Sequence, residues 1–182
     1  MIELIVVAVI LIVIMLLTSL ISFSQHLTYS TFMKVIKIGN VSSLNDLMDS
    51  YGYNYGGIYV HNKGSQDAKQ SVFWLKNCHL DLSTGDIEWK NGADRSYLAL
   101  EYMPGETVKS WYRYTFHSKT AYKTFINVAK QNGFKFKRDS VDKTYIYSIY
   151  ERPNKAKQYI EYLEFDEFTD QRYCVSYWTE NL

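Results

Sequence analysis

A long apolar run near the start of the chain constrains the fold most. It extends from Leu4 to Phe23 and comprises 20 residues without a charged side chain. As an α-helix it would cover about 30 Å, which is the thickness of the hydrocarbon core of a bilayer. A helix packed on a soluble core would show a polar stripe, and this run has none. We therefore predict a transmembrane anchor over residues 1–24 that inserts through residues 4–23.

A cleaved signal peptide is the alternative to a retained anchor. Ser22 and Ser24 are small residues in the positions that flank a cleavage site before Gln25. However, no Lys or Arg precedes the run, and the run exceeds the roughly 7–15 residues of a signal-peptide core. We prefer the anchor and leave the membrane side open, because Lys34 and Lys37 favour a cytoplasmic domain only weakly.

The charge distribution after the anchor bears on the partner. All 20 Lys and Arg lie at Lys34 or later, together with 18 of the 19 acidic residues, which leaves this part with a net charge of +2. Such a balance provides no basic field for phosphate backbones. We therefore expect no nucleic-acid partner.

Residues 25–41 remain amphipathic, with the pattern LTYSTFMKVIKI. We predict a helical stalk that leads into the domain. A continuation of the membrane helix, or a helix that lies on the bilayer surface, is the alternative.

The remaining chain shows signs of an internal duplication. A first helix is predicted from Ser43, with Asp46 completing a capping box and Gly52 ending it. A second helix is predicted from the segment 118–120 to Gly133. Each glycine is followed by an alternating pair of aromatic residues, so the same unit starts twice.

Three alternating, aromatic-rich runs follow each helix and predict antiparallel strands. They are Ser71–Leu82, Ser96–Met103 and Lys109–Phe116 in the first half, and Thr144–Glu151, Gln158–Phe165 and Arg172–Trp178 in the second. An additional hairpin is predicted around Asp86–Trp89. The predicted fold class is α+β, with two tandem αβββ-like modules over residues 42–117 and 118–182. The modules either share one sheet or pack back to back.

Few residues suggest catalysis, and we expect no enzyme activity, cofactor or metal. Cys78, His79 and Asp81 form the only reactive cluster, but alternation places Cys78 on the face opposite the other two.

Cys78 and Cys174 are predicted as buried free thiols, with one disulfide as the alternative. The turn 81–88 has oxygen ligands that suggest a calcium loop, yet lacks the regular pattern, so a tight turn is favoured. The acidic run 161–170 is interpreted as solvated charge at a strand edge.

Aromatic side chains occur on both faces of the predicted strands, although a sheet covered on one side needs only one apolar face. The second face must pack on other elements or bind a partner, for which Tyr and Trp are well suited. We predict that a binding surface includes six aromatic residues: Trp111, Tyr112, Tyr114, Tyr145, Tyr147 and Tyr150.

The favoured function is a single-pass, membrane-anchored and non-enzymatic protein-binding module, either of the immunity or inhibitor type or an accessory subunit of a membrane complex. The first alternative is a membrane-tethered sensor or carrier of a small ligand, held in an aromatic cleft between the modules. The second is a membrane-anchored hydrolase that would use His79 or the carboxylates.

Overall fold

The computed structural model describes residues 26–38, 40–64, 68–91, 94–102 and 111–181. The predicted anchor at residues 4–23 lies outside these residues. Within them, no helix combines the length and the apolar character that crossing a bilayer requires. The described chain is mixed α+β, with three α-helices and a large antiparallel sheet, which confirms the predicted class.

The helices are α1 (Tyr29–Ile38), α2 (Val41–Ser50) and α3 (Lys119–Gln131). The first six strands are β1 (Asn54–His61), β2 (Lys69–Lys76), β3 (Cys78–Leu80), β4 (Ile87–Trp89), β5 (Ser96–Tyr102) and β6 (Trp111–Phe116). The last four are β7 (Lys135–Val141), β8 (Tyr145–Asn154), β9 (Tyr159–Phe168) and β10 (Tyr173–Asn181). A 3-10 turn at Lys155–Lys157 joins β8 to β9.

Eight of these strands form one antiparallel sheet in the order β1-β2-β5-β6-β10-β9-β8-β7. The first half of the sheet consists of β1, β2, β5 and β6, and the second half of β7 to β10. The halves join where β6 pairs with β10, for example at Tyr114 and Val175. The structure therefore has the single shared sheet, the first of the two arrangements predicted.

Each half has four sheet strands, so the prediction of three was one strand short. The additional strands are β1 and β7, which begin at the aromatic pairs that follow Gly52 and Gly133. These short pairs did not reveal a full strand, because β7 is exposed along its whole length and carries mostly polar residues. Both strands contain a bulge near their start, between Tyr55 and Gly57 in β1 and between Phe136 and Arg138 in β7.

The helix ends follow local capping chemistry. The N-cap of α2 is Asn40, whose Oδ1 accepts a hydrogen bond from the Ser43 N–H at 2.8 Å, so the predicted start at Ser43 was wrong by one turn. The predicted start of α3 is confirmed, because the Ser118 hydroxyl caps it. Gly52 and Gly133 have φ angles of +76° and +87°, the left-handed conformation that glycine adopts readily after a helix.

The main core lies between the three helices and one face of the sheet. The segment predicted as a stalk belongs to this core, since Leu27, Phe32 and Val35 are fully buried. Its amphipathic pattern is satisfied by packing inside the domain. The Leu27 N–H also donates a 2.9 Å hydrogen bond to the Tyr114 hydroxyl, which ties the start of the described chain to the sheet.

Strands β3 and β4 form a separate hairpin, here called the cover hairpin, that packs on the other face of the first half. Asn77, with a φ angle of +51°, separates β2 from β3, so the predicted run Ser71–Leu82 is two strands. Asp81 Oδ1 accepts hydrogen bonds from the Ser83 N–H at 2.8 Å and hydroxyl at 2.6 Å. The carboxylate thus stabilises a tight turn, as expected.

Candidate functional site on the open face

The face of the sheet opposite the helices, here called the open face, differs between the two halves. The cover hairpin packs on the first half. The hydrophobic cluster on the second half and the junction consists only of sheet residues. Side chains of neighbouring strands that share a face lie about 4.5–5.5 Å apart at Cβ and form rows across the sheet. Three such rows cross the junction of the halves.

The first row, here called the aromatic row, consists of Trp111, Trp178 and Tyr162. The rings of Trp111 and Trp178 stack with centroids 4.9 Å apart and planes inclined by 12°. Trp178 and Tyr162 stack with centroids 5.2 Å apart. The Lys137 ammonium lies 4.7 Å from the centroid of the Tyr162 ring and 2.7 Å from a Glu151 carboxylate oxygen. These rings therefore form a continuous stack across the junction, in which Trp178 and Tyr162 are only 9% and 5% exposed.

The second row is polar and contains Arg113, Ser176 and Glu164, which the strand register places side by side. One guanidinium nitrogen of Arg113 lies 3.7 Å from the Glu101 carboxylate, while its Nε is buried without a partner among the described residues. No ion pair within the described part of the chain involves Glu164.

The third row contains Thr115, Cys174 and Asp166. With the polar row it lines a cavity of about 280 Å³, here called the acid cleft. Its walls are completed by side chains of both halves: Tyr97, Arg113, Tyr145, Glu164, Phe168 and Arg172. Asp166 is only 6% exposed, and its Oδ1 is buried without a hydrogen-bond partner among the described residues.

The electrostatics of the acid cleft follow from burial. Burial, with a contribution from the charge of Glu164, raises the pKa of Asp166 to about 7, against the opposing effects of Arg113 and of a hydrogen bond from the Cys174 thiol. By hydrogen-bond geometry, Asp166 Oδ1 itself still has no partner among the described residues. Burial also raises the pKa of Glu164 above its ordinary value. The pKa of the Cys174 thiol is raised to about 12 by burial, so the thiol stays protonated and is a poor nucleophile.

The six predicted binding residues divide between the two faces, as their alternation indicated. Trp111, Tyr145 and Tyr147 belong to the open face, where Tyr145 and Tyr147 stack with ring centroids 5.8 Å apart. The other three are buried in the main core under the helices: Tyr112, Tyr114 and Tyr150. Tyr114 is fully buried, and burial raises its pKa to about 12. These three residues support the sheet from behind and present little or no surface to a partner.

Sequence reasoning missed Trp178, Tyr162 and Asp166. The interpretation of the acidic run as solvated edge charge was wrong, because Glu161 and Asp166 are each only 6% exposed. Their strand, β9, pairs on both sides, with β8 and β10. Glu161 accepts a hydrogen bond from the Arg152 guanidinium at 2.8 Å on the helix-covered side. The alternation of these acids with aromatic residues was the signal that the strand is internal.

The reactive cluster near Cys78 does not assemble a site. Cys78 and His79 belong to β3 of the cover hairpin. Cys78 is buried against the sheet, whereas His79 is exposed. Both Cys78 and Cys174 are free thiols, as favoured from the sequence.

Two larger depressions are lined by described residues. One of about 700 Å³ at the end of the sheet adjoins the acid cleft, with which it shares Tyr145 and Phe168, and in it Lys119 Nζ contacts Glu167 Oε1 at 2.9 Å. The other, of about 420 Å³, is an apolar groove between residues 26–30 and α3. All three cavities are lined by residues with buried polar atoms that lack partners among the described residues, but in the other two these are imidazole nitrogens, of His117 and His26. The acid cleft is the one of the three in which an unpartnered atom belongs to a carboxyl group, that of Asp166.

Comparison of the chain with protein-family models, curated proteins and solved structures found no significant match. The function is therefore argued from the open face itself.

Proposed function

We propose that the protein is a single-pass, membrane-tethered and non-enzymatic binding module that engages a protein partner through the uncovered part of the open face. An immunity or inhibitor protein and an accessory subunit of a membrane complex both fit this description. The apolar run at residues 4–23 would confine the domain to a bilayer surface, where tethering raises the effective concentration of membrane partners.

The difference between the two halves of the open face carries this proposal. In the first half, the cover hairpin buries Phe73, Leu75 and Ala99. In the second half and at the junction with β6, the aromatic row and its neighbours Ile149 and Ile160 occupy the same face of the sheet, and no residue of another described layer belongs to their cluster. Trp178 and Tyr162 are only 9% and 5% exposed, so the accessible part of this surface is formed mainly by Trp111, Tyr147 and Ile160. Apolar surface of this kind, bordered by charged residues, is typical of protein interfaces. A partner would take the place that the cover hairpin takes in the first half.

The finer organisation that we propose is a duplicated unit of a helix and a four-stranded meander. The same spacing along the chain separates Gly52 from Gly133 and the buried Tyr53 from the buried Phe134. It also separates the two bulges in β1 and β7. The cover hairpin is an insertion between the second and third strands of the first unit.

A non-enzymatic role is favoured by the state of the groups in the acid cleft. Cys174, its only thiol, is held protonated by burial. His79, the base considered for a hydrolase, is exposed and does not line the acid cleft. We therefore drop the version of the hydrolase hypothesis that uses His79. The version that uses carboxylates stays a prediction that we rank below binding, since Glu164 and Asp166 line one cavity.

The proposal is tested by crosslinking the tagged full-length protein in intact membranes of its native host and identifying co-purifying proteins by mass spectrometry. Trp111→Ala and Tyr147→Ala are compared with Phe136→Ala, which removes an aromatic ring that is 55% exposed and outside the open face. We expect a stoichiometric partner that is lost with the first two variants and retained with the third. Purification of the protein alone, or equal capture by all three variants, would contradict the proposal.

A second candidate function is a sensor or carrier of a small ligand. The observation that favours it is the acid cleft at the junction of the two halves, which Tyr97, Tyr145 and Phe168 line with aromatic rings. A thermal-shift screen with metabolites and lipids tests it. A stabilising compound whose effect disappears with Tyr145→Ala would support this function, and a screen without any stabilising compound would count against it.

A further inference from the structure

We infer that the acid cleft is a socket for a cationic side chain, so that the protein partner inserts a Lys or Arg residue beside the aromatic row. This inference rests on the proposed function, because it names the chemistry that the partner presents to the open face. Its physical basis, however, lies in the described residues of the acid cleft alone.

The first argument is the charge balance around the acid cleft. Arg113 has Glu101 as its ion-pair partner at 3.7 Å, and Arg172 has Asp170 at 2.6 Å. Glu164 and Asp166 remain without an ion pair among the described residues, although both line the same cavity. The charge of Arg113 lowers the pKa of both carboxyl groups without forming an ion pair with either, so a cation placed between them would supply the direct pairing that they lack.

The second argument is the missing hydrogen bond of Asp166. Buried polar atoms in folded proteins almost always have a partner, and leaving one unsatisfied costs roughly 1–3 kcal/mol. Asp166 Oδ1 has none among the described residues, and its carboxyl group forms part of the wall of the acid cleft. An ammonium or guanidinium group would supply the N–H donor that Oδ1 lacks, in a charge-assisted hydrogen bond.

The third argument is the size and lining of the cavity. At about 280 Å³ it lies at the lower end of the roughly 300–1,000 Å³ that is usual for pockets of small-molecule ligands, so it has room for one long side chain or an amine of similar size. The rings of Tyr97, Tyr145 and Phe168 are part of its wall. Aromatic faces attract cations, and combined with carboxylates they form the usual environment for ammonium recognition. The adjacent aromatic row would contact the apolar partner surface that surrounds the inserted residue.

Proton release would accompany insertion of the cation. The titratable groups around Asp166 are Arg113 on β6, Glu164 on β9, Cys174 on β10, Tyr97 on β5, Tyr145 and Tyr147 on β8, and Arg172 before β10. Because the carboxyl group is partly protonated near neutral pH, an arriving cation favours the ionised form and expels the proton to solvent. Binding measured near pH 7 should therefore release a fraction of a proton, and binding at pH 9 should release almost none.

The test uses n-butylammonium and n-butylguanidinium as probes, with n-butanol as the uncharged control, on the full-length protein in detergent. Calorimetric titrations in two buffers of different ionisation enthalpy give the affinity and the number of protons released. We expect both cations to bind and n-butanol not to bind. Asp166→Asn and Glu164→Gln should each weaken binding at least 10-fold, whereas Asp139→Asn, at an exposed carboxylate on β7, should not.

Melting temperatures of all variants establish that they are folded, and Glu164→Gln carries the test if Asp166→Asn is not. Absence of cation binding, or binding that is unchanged in both variants, would overturn the inference. Partner capture that persists in both variants would also overturn it while leaving the proposed function intact. Probe binding together with failure to capture any protein would instead contradict the protein-binding function and assign the acid cleft to a free amine ligand.

Discussion

The two halves of the sheet share one plan on the helix-covered face and differ on the open face. On the covered face, each half packs under a helix, and Tyr53 and Phe134 are buried at matching positions after α2 and α3. On the open face, the cover hairpin closes the first half, and the aromatic row spans the second half and the junction with β6 without a second layer among the described residues. In our proposal, similar strands therefore pack on a hairpin in one half and on a partner in the other.

The difference also affects how polar groups are placed. Under the cover hairpin the open face of the first half is apolar, with Phe73, Leu75 and Ala99. At the junction the same face carries Arg113, Glu164 and Asp166, where water or a partner can reach them through the acid cleft. Buried charge is costly unless it is paired, so such groups persist most readily where they have a function.

The largest expected effect concerns the covered half. Leu80→Ala removes a buried side chain of the cover hairpin and should lower the free energy of unfolding by about 3 kcal/mol, because it leaves a cavity against β2 and β5. Urea denaturation measures the change. Partner capture should be unaffected in the folded protein. A loss of capture at unchanged stability would show that the partner binds the half that the cover hairpin covers.

The second prediction concerns the aromatic row at the junction of the halves. Trp111→Ala removes one end of the aromatic row and should weaken partner binding by about 2 kcal/mol, or roughly 30-fold in Kd, as for an aromatic hot spot. Binding is measured by titration of the captured partner. Trp89→Ala, in the cover hairpin, is the matched control and should lower stability without changing the Kd. Equal effects of both variants on the Kd would remove the distinction between the halves.

The third prediction uses the pH dependence of stability. The pKa of Asp166 is raised to about 7 in the folded protein, against about 3.9 in an unfolded chain. Its contribution to stability is therefore full below pH 4 and is lost as the pH rises through 7. Asp166→Asn, which keeps a neutral side chain, should be more stable than the native protein at pH 8 and of similar stability at pH 4.

Chemical denaturation at both pH values, with Asp139→Asn as the exposed control, checks this expectation. A native protein that gains stability relative to Asp166→Asn between pH 4 and pH 8 would show that the carboxylate is satisfied when ionised. The Asp166 carboxylate would then need no further hydrogen-bond donor, and the proposed cation would have no unsatisfied group to bind.

The smallest expected effect tests the common plan of the halves. Gly52→Ala and Gly133→Ala each force an alanine into the left-handed conformation, at a cost of about 1 kcal/mol. A Cβ at Gly52 would meet no atom within 4 Å, and one at Gly133 would meet only Arg152 at 3.7 Å, so conformation alone should decide. Thermal denaturation should show equal losses, and clearly unequal losses would argue against equivalent units.

Much of the local structure was predictable because it depends on neighbouring residues. Alternation located six segments of strand, and the aspartate turn located the cover hairpin near Asp86–Trp89. Ser118 and Gly133 gave both ends of α3, since capping uses side chains and backbone within one turn. The α2 cap at Asn40 was missed because two adjacent serines offered an equally plausible start.

The sequence by itself determined that strands such as β6 and β8 have two different faces, with Trp111 opposite Tyr112 and Tyr145 opposite Tyr150. Only the tertiary structure decided which face the helices cover, because that depends on pairing between distant segments such as β6 and β10. The same pairing buried Asp166 and placed it beside residues of the first half, so the acid cleft exists in no single segment of the chain. Local sequence patterns determine the secondary structure of a segment, and long-range packing determines which elements each of its faces contacts.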